Sequence, residues 1–485
     1  MSQPPLSRVG SPPAGRGGPP ITGPIAVGLL MLAAAIGTIA ATPMLRPPRD
    51  RALVTRLADE GPHTGLCDKC HTAHGNDQPV LYPNALQGPN DNTMCVSCHN
   101  TAWAGGSFAT EPLYRGTGHG SSMMMIWPGP DPPMRIEPDA PTKCLNCHDP
   151  HGWIDLTGTI PHLAIAREEK LCLACHDGSP ASSNIATELA KPFRHPVTDY
   201  SGRHSGPTES DPSAFGITPI NARHAECEDC HNPHVGRRDG TPPLGDDASL
   251  TTLGSSRVLV LNGPAGSAPA FTFVPGSDTL TVPVAEYQLC FKCHSSWTTQ
   301  PAGQTDLARA MNSNNPSYHP TEAPGANPLI DPLSFSAGWN PTSITRCGDC
   351  HGSDFAATRG PHGSVYAGLL KASYPASSAT RITTSDELCF SCHSYDVYAN
   401  PIAPAPMLAA SRFNPPGVPQ GHATHVGTNQ VPCYACHVTH GSSTQPFLMA
   451  TGRNPGLLGY TKTVNGGTCT PTCHGPESYT VNYAR

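Results

Sequence analysis

The sequence predicts a loop-rich chain with little regular secondary structure, short helices at a repeated cysteine motif, and a core that apolar side chains alone do not build. Three observations lead there. All 20 cysteines fall into ten pairs, and a histidine directly follows every pair. Proline and glycine number 56 and 48 of 485 residues, near the range where a chain reads as low-complexity. Hydrophobic residues make up 37% and charged residues 13%, too few apolar groups for a large conventional core and too little charge for a disordered tail.

The first five pairs are Cys67/Cys70 before His71, Cys95/Cys98 before His99, Cys144/Cys147 before His148, Cys172/Cys175 before His176, and Cys227/Cys230 before His231. The next five are Cys290/Cys293 before His294, Cys347/Cys350 before His351, Cys389/Cys392 before His393, Cys433/Cys436 before His437, and Cys469/Cys473 before His474. Nine read CxxCH, the pattern of covalent c-type haem attachment, and the tenth reads CxxxCH. Ten haem c groups are therefore expected. Each buries a large apolar plate among loops that could not otherwise offset their ordering entropy, so the haems are the expected core and the apo chain is expected to be unfolded. Zinc is the competing reading of CxxC. Histidine is 24 of 485 residues, so under random placement each pair has a roughly 1 in 20 chance of being followed by one; ten in ten excludes chance, and a four-cysteine zinc site has no use for that histidine.

The formal charge is -7, and haem propionates add to it: about -1 per oxidised haem and about -2 per reduced one. Nucleic acid and anionic headgroups are thereby excluded as partners. The stretch 25–41 (IAVGLLMLAAAIGTIAA) is apolar and follows Arg8 and Arg16. Residues 1–45 thus read as an export segment, either a signal peptide cleaved near Thr38, Ala40 and Ala41 or a retained membrane anchor. The rest is expected outside the cytoplasm, in the periplasm, at the cell surface or beyond it, touching the membrane only through that segment. No cysteine is spare for a disulfide framework.

Beyond residue 45 the chain repeats. Odd-numbered motifs run into a second histidine and glycine, as in CDKCHTAHG (67–75), CLNCHDPHG (144–152), CEDCHNPHVG (227–236) and CYACHVTHG (433–441); KLCLACH (170–176), QLCFKCH (288–294) and ELCFSCH (387–393) share another lead-in. The repeat predicts five tandem haem pairs, at 46–118, 119–194, 195–318, 319–421 and 422–485. Helix starts are expected at Ala166 before Cys172 and at Ser385 before Cys389. Residues i, i+3 and i+4 share a helix face, which aims both thiols at a porphyrin edge and the histidine at the iron. In the tenth motif, Thr470-Pro471-Thr472 would loop out of that helix. Within the third pair, RVLVL (257–261), FTFV (271–274) and TLTVPV (279–284) predict a small β insert near 255–285, read as a spacer or partner surface.

Fourteen histidines remain outside the motifs, a surplus that matches bis-histidine ligation. His74, His151, His234 and His440 directly follow their motifs, and His362 occupies an equivalent HG setting. His119, His195, His319 and His422 lie in the spacers. A tenth ligand would come from His63, His162, His204, His224 or His425, and His63 is the expected one; a surface role is the plain alternative for each of these five. Met123 offers an axial alternative that is weaker because methionine is usually packing. Two histidines per iron saturate it and hold its potential low, which points to an electron carrier rather than an enzyme. Nothing in the sequence resembles the CxxCK haem of multihaem nitrite reductases, a nucleophile triad or a phosphate loop.

Over roughly residues 63–475 these motifs resemble multihaem cytochromes c with doubled CxxCH motifs, as found in bacteria that respire extracellular acceptors. The resemblance implies a multihaem cytochrome c fold whose core is closely stacked haems, alternately parallel and perpendicular, along an extended protein. Some relatives form filaments in which a histidine of one subunit ligates a haem of the next. The function implied is electron relay to an extracellular or periplasmic acceptor, with redox proteins as donor and acceptor. Two alternatives remain at this point: a filament of copies of this chain, and a terminal reductase with one open haem, most readily that of Cys469/Cys473.

Overall fold

One backbone turn recurs along the chain, and the motif spacing dictates it. At seven motifs the histidine N–H donates to the carbonyl of the first cysteine at 2.8–3.0 Å, from His99 on Cys95 to His437 on Cys433. A single helical turn thus joins both cysteines, and the histidine leaves it. His231 and His351, for example, are already extended. The helical pieces are Cys144–Asn146, Glu168–Leu173, Cys227–Cys230, Glu286–His294, Cys347–Cys350, Leu388–Ser391 and Cys433–Ala435. One turn is too short to persist alone, so local bonds start it: the Asp229 and Asp349 carboxylates accept from the N–H of Glu226 and Arg346 at 2.8 Å, capping the turn from its third position.

The chain divides after Thr55 into two units, and the elements discussed belong to the second, Arg56–Arg485. The computed structural model describes residues 55–56, 95, 99, 114, 118–121, 144–155, 158–166, 168–198, 224–236, 248–279, 284–300, 303–355, 358–375, 377, 387–413 and 421–481. Residues 1–45, His63, Cys67, Cys70, His71, His74, Cys98, Met123, His204 and Ser385 lie outside the described residues. Among the described residues, no helix is long and apolar enough to cross a membrane.

Two expectations are corrected. The β insert is a hairpin, Arg257–Leu261 against Ala270–Val274, paired throughout, but it is a buttress rather than a spacer. Its Val258, Val260, Phe271 and Phe273 pack on Phe291, Trp297 and Met311, and Phe291 sits inside the sixth motif. The Phe273 and Trp297 rings stack at 5.7 Å. The end of the third run, Val284, pairs with Ser249 instead of joining the hairpin. The tenth motif is not helical: Cys469 lies in the strand Gly466–Pro471, between Leu457–Thr463 and Glu477–Thr480. The added residue breaks the i, i+3, i+4 register, and a two-residue turn at Val464-Asn465 folds the alternating run back on itself.

The spacers form straps that bring histidines of different pairs together. Phe193–Arg194 pairs with Gly363–Ser364, and Ser317–Tyr318 pairs with Gly441–Ser442. These ladders set His195 beside His362 and His319 beside His440, with main-chain bonds of 3.3 and 2.9 Å. A partly buried network holds one strap: Lys191 Nζ donates to Glu188 at 2.7 Å and to Asp354 at 2.8 Å. The glycines that follow His362 and His440 are required by close approach. A Cβ on Gly441 would lie 1.9 Å from the Ala310 carbonyl, and one on Gly363 would lie 1.8 Å from that of Glu188. Gly441→Ala is therefore expected to cost about 1–3 kcal/mol by overpacking, read as a lowered melting temperature; an unchanged melt would mean that the strap has slack.

Candidate functional site

The straps end in a repeated geometry. Eight imidazole pairs face each other with ring centroids 6.0–6.5 Å apart, and each pair joins one motif histidine to one histidine from elsewhere. His148 faces His234, His231 faces His362, and His351 faces His440. His176 faces His119, His294 faces His195, and His393 faces His319. At the C-terminal end His437 faces His422 and His474 faces His425. Metal–imidazole bonds of about 2.0–2.1 Å place two rings on opposite sides of one ion with centroids roughly 6 Å apart, so each pair has the span that a six-coordinate iron requires.

Ring orientation is set through Nδ1. That nitrogen donates to a backbone carbonyl in His148 (His162, 2.8 Å), His231 (Thr251, 3.0 Å), His351 (Gly368, 2.8 Å) and His437 (Phe447, 3.0 Å). Among the facing histidines, His119, His195 and His425 donate to Pro233, Pro361 and Gly421 at 3.0, 2.6 and 2.7 Å, and His319 to Thr439. His234 is held by the Asp278 carboxylate at 2.9 Å. Fixing Nδ1–H leaves Nε2 as the free ligand atom, the outer-shell pattern of metal-binding histidine. Burial also lowers the basicity of these rings: His148, His176, His362, His393 and His440 fall to about 4 and His422 to about 3. They are neutral at physiological pH, the form that binds metal.

The cysteines place consecutive motifs side by side. First-cysteine thiols meet within hydrogen-bonding reach at Cys172/Cys227, Cys290/Cys347 and Cys389/Cys433. Second cysteines act on one another at Cys147/Cys175, Cys230/Cys293, Cys350/Cys392 and Cys436/Cys473. The third to tenth motifs are therefore neighbours in chain order. One continuous cavity of about 4370 Å³ is lined by the cysteines or histidine of all nine described motifs, several times the roughly 300–1,000 Å³ of a single ligand pocket. A row of porphyrins fits that space. Zinc does not: among the described residues no three His, Cys, Asp or Glu side chains converge to hold an ion.

Three comparisons bear on this site. A family model described as the doubled CXXCH motif matches residues 61–103, 137–181 and 340–397. These three segments carry the doubled motif and are consistent with a multihaem c-type cytochrome. No curated protein and no solved structure matches it. In a c-type cytochrome the CXXCH motif implies haem bound covalently through its cysteines.

His425, one of five spare candidates for the tenth ligand, takes the place opposite His474. His162 contributes its carbonyl to His148, and the His224 ring lies 3.5 Å from the Glu226 carboxylate. Sequence reasoning missed the carbonyls that orient the odd motif histidines. Their signal was present: Pro161-His162-Leu163, Ala367-Gly368-Leu369 and Pro446-Phe447-Leu448 each carry a left-handed leucine beside the accepting carbonyl. The missed π-helix Ala423–Thr428 carries His425 and is packed through Val426 on Phe390 and Ala399. His425→Ala is expected to convert the iron of the tenth motif to high spin, with exogenous imidazole restoring low spin; an unchanged low-spin spectrum would assign that ligand elsewhere.

Proposed function

We propose that this multihaem cytochrome is an electron-transfer protein with ten covalent haems arranged as five pairs, each iron held by two histidines. Bound haem supplies one-electron chemistry; the chain supplies spacing, orientation and dryness. The observation that carries the reading is the side-by-side order of motifs three to ten joined to eight ring pairs of ligand span. Two imidazoles per iron keep the potential low and leave no coordination position for a substrate. The tenth motif, the readiest place for an open iron, has His425 opposite its histidine, which speaks against a terminal reductase. The apolar stretch 25–41 supports a location outside the cytoplasm, with redox proteins as donor and acceptor and an acceptor in the periplasm or outside the cell.

Film voltammetry on the purified holoprotein tests the proposal. Ten reversible one-electron transfers per chain at low potential, with no catalytic current when nitrite or another small oxidant is added, are expected. A catalytic wave would establish an enzyme instead.

A further inference from the structure

We infer that the two haems of a pair differ by construction: the axial rings of the odd-numbered haem lie close to parallel, those of the even-numbered haem are tilted, and one backbone carbonyl per pair imposes the tilt. The even-numbered haem is in consequence the first of the two to accept an electron. The inference rests on reading the ring pairs as haem ligands, and it concerns the third to tenth motifs.

The eight ring pairs fall into two sets without overlap. At the odd motifs the planes of His148/His234, His231/His362, His351/His440 and His437/His422 meet at 26°, 22°, 12° and 22°. At the even motifs those of His176/His119, His294/His195, His393/His319 and His474/His425 meet at 53°, 55°, 62° and 38°. One hydrogen bond recurs in all four haem pairs. The Nδ1–H of His119, His195, His319 and His425 donates to the carbonyl of Pro233, Pro361, Thr439 and Gly421. Each of these carbonyls belongs to the residue directly before the facing histidine of the odd motif in the same pair: His234, His362, His440 and His422. A single peptide thus carries one axial ring of the odd haem and orients one axial ring of the even haem, so the two ring planes are not set independently. At the odd motifs a carbonyl holds the motif ring as well, from His162 on His148 to Phe447 on His437.

Ring planes tune the iron because each imidazole donates π density into the iron d orbital that lies across its plane. Two parallel rings raise the same orbital and split it from its twin; two tilted rings raise both more evenly. The hole of low-spin ferric iron rests in the raised orbital, so parallel rings stabilise the oxidised state more than tilted rings do. The odd haem of each pair is therefore the harder to reduce, through a lever that differs from the identity of the axial ligands, which is histidine in both.

Low-temperature EPR on the holoprotein during a potentiometric titration with dithionite tests this. The expected oxidised spectrum holds two low-spin signals, a rhombic one with three resolved g-values and one dominated by a single large g-value, each arising from at least four haems per chain. The large-g signal is expected to fade first as the potential falls. One low-spin class throughout, or the reverse order of loss, overturns the inference. His425→Gly with imidazole supplied in its place reports on the carbonyl: a ring untethered from Gly421 moves the large g-value of one haem, and a spectrum identical to that of the unaltered chain overturns the assigned cause. Should that variant fail to accumulate with haem, the titration of the unaltered chain decides. High-spin iron or missing haem in the unaltered chain would defeat the underlying bis-histidine reading instead.

Discussion

Chain produced without haem attachment is expected to show no cooperative melt and no dispersed amide spectrum. The reason is the distribution of buried apolar groups. The larger core cluster among the described residues is Val258, Phe291, Trp297, Ala308 and Met311, and the other is Phe390, Ala399 and Val426. Ordering a residue costs about 1–2 kcal/mol of backbone entropy, and the motif loops face a cavity of about 4370 Å³ whose walls gain their contacts only when haem fills it. The single-turn helices at Cys227–Cys230 and Cys347–Cys350 have no independent stability. Circular dichroism and amide NMR on haem-free chain make the check, and a sharp thermal transition would mean that side chains alone build the fold. The hairpin on the Glu286–His294 helix is the segment most able to retain residual order.

Acid is expected to have the second largest effect. Free histidine titrates near pH 6.5, whereas burial lowers His148, His176, His362, His393 and His440 to about 4 and His422 to about 3. The unfolded chain therefore binds more protons than the folded one between those values, and stability rises with pH across that window. The contribution is complete above about pH 6.5 and is lost as pH falls toward 4. Iron coordination acts in the same direction, because the ligand must be unprotonated. An acid titration of the ferric protein should show low-spin haem converting to high spin, with its midpoint below pH 6.5 and steeper than one proton. Conversion beginning above neutrality would contradict neutral, buried axial rings.

Much of this site is legible in the sequence because haem attachment is a local event. Both cysteines and the proximal histidine lie within one turn, so Cys144, Cys147 and His148 announce themselves by spacing. The facing histidines were recognisable by recurrence after odd motifs and in spacers, but their assignments were not: His362 serves a motif histidine, His231, 131 residues earlier, while His422 serves His437 only 15 residues on. Such pairings follow from strap ladders such as Gly441–Ser442 with Ser317–Tyr318, two residues long and without a pattern of their own. His425 escaped selection because it sits in a π-helix, which no periodicity marks. The tenth motif misled in the opposite way. CxxxCH invites a helical reading by analogy with its nine relatives, yet the alternation of Leu457–Thr463 and the glycines at Gly466 and Gly467 belong to a hairpin.

Near-infrared MCD with low-temperature EPR on the fully oxidised holoprotein, paired with its intact mass, measures the central claim most directly. The account predicts a mass corresponding to ten covalent haems and a spectrum that is low-spin bis-histidine throughout. Fewer haems, a methionine–iron band, or a high-spin signal from any one of them would contradict it.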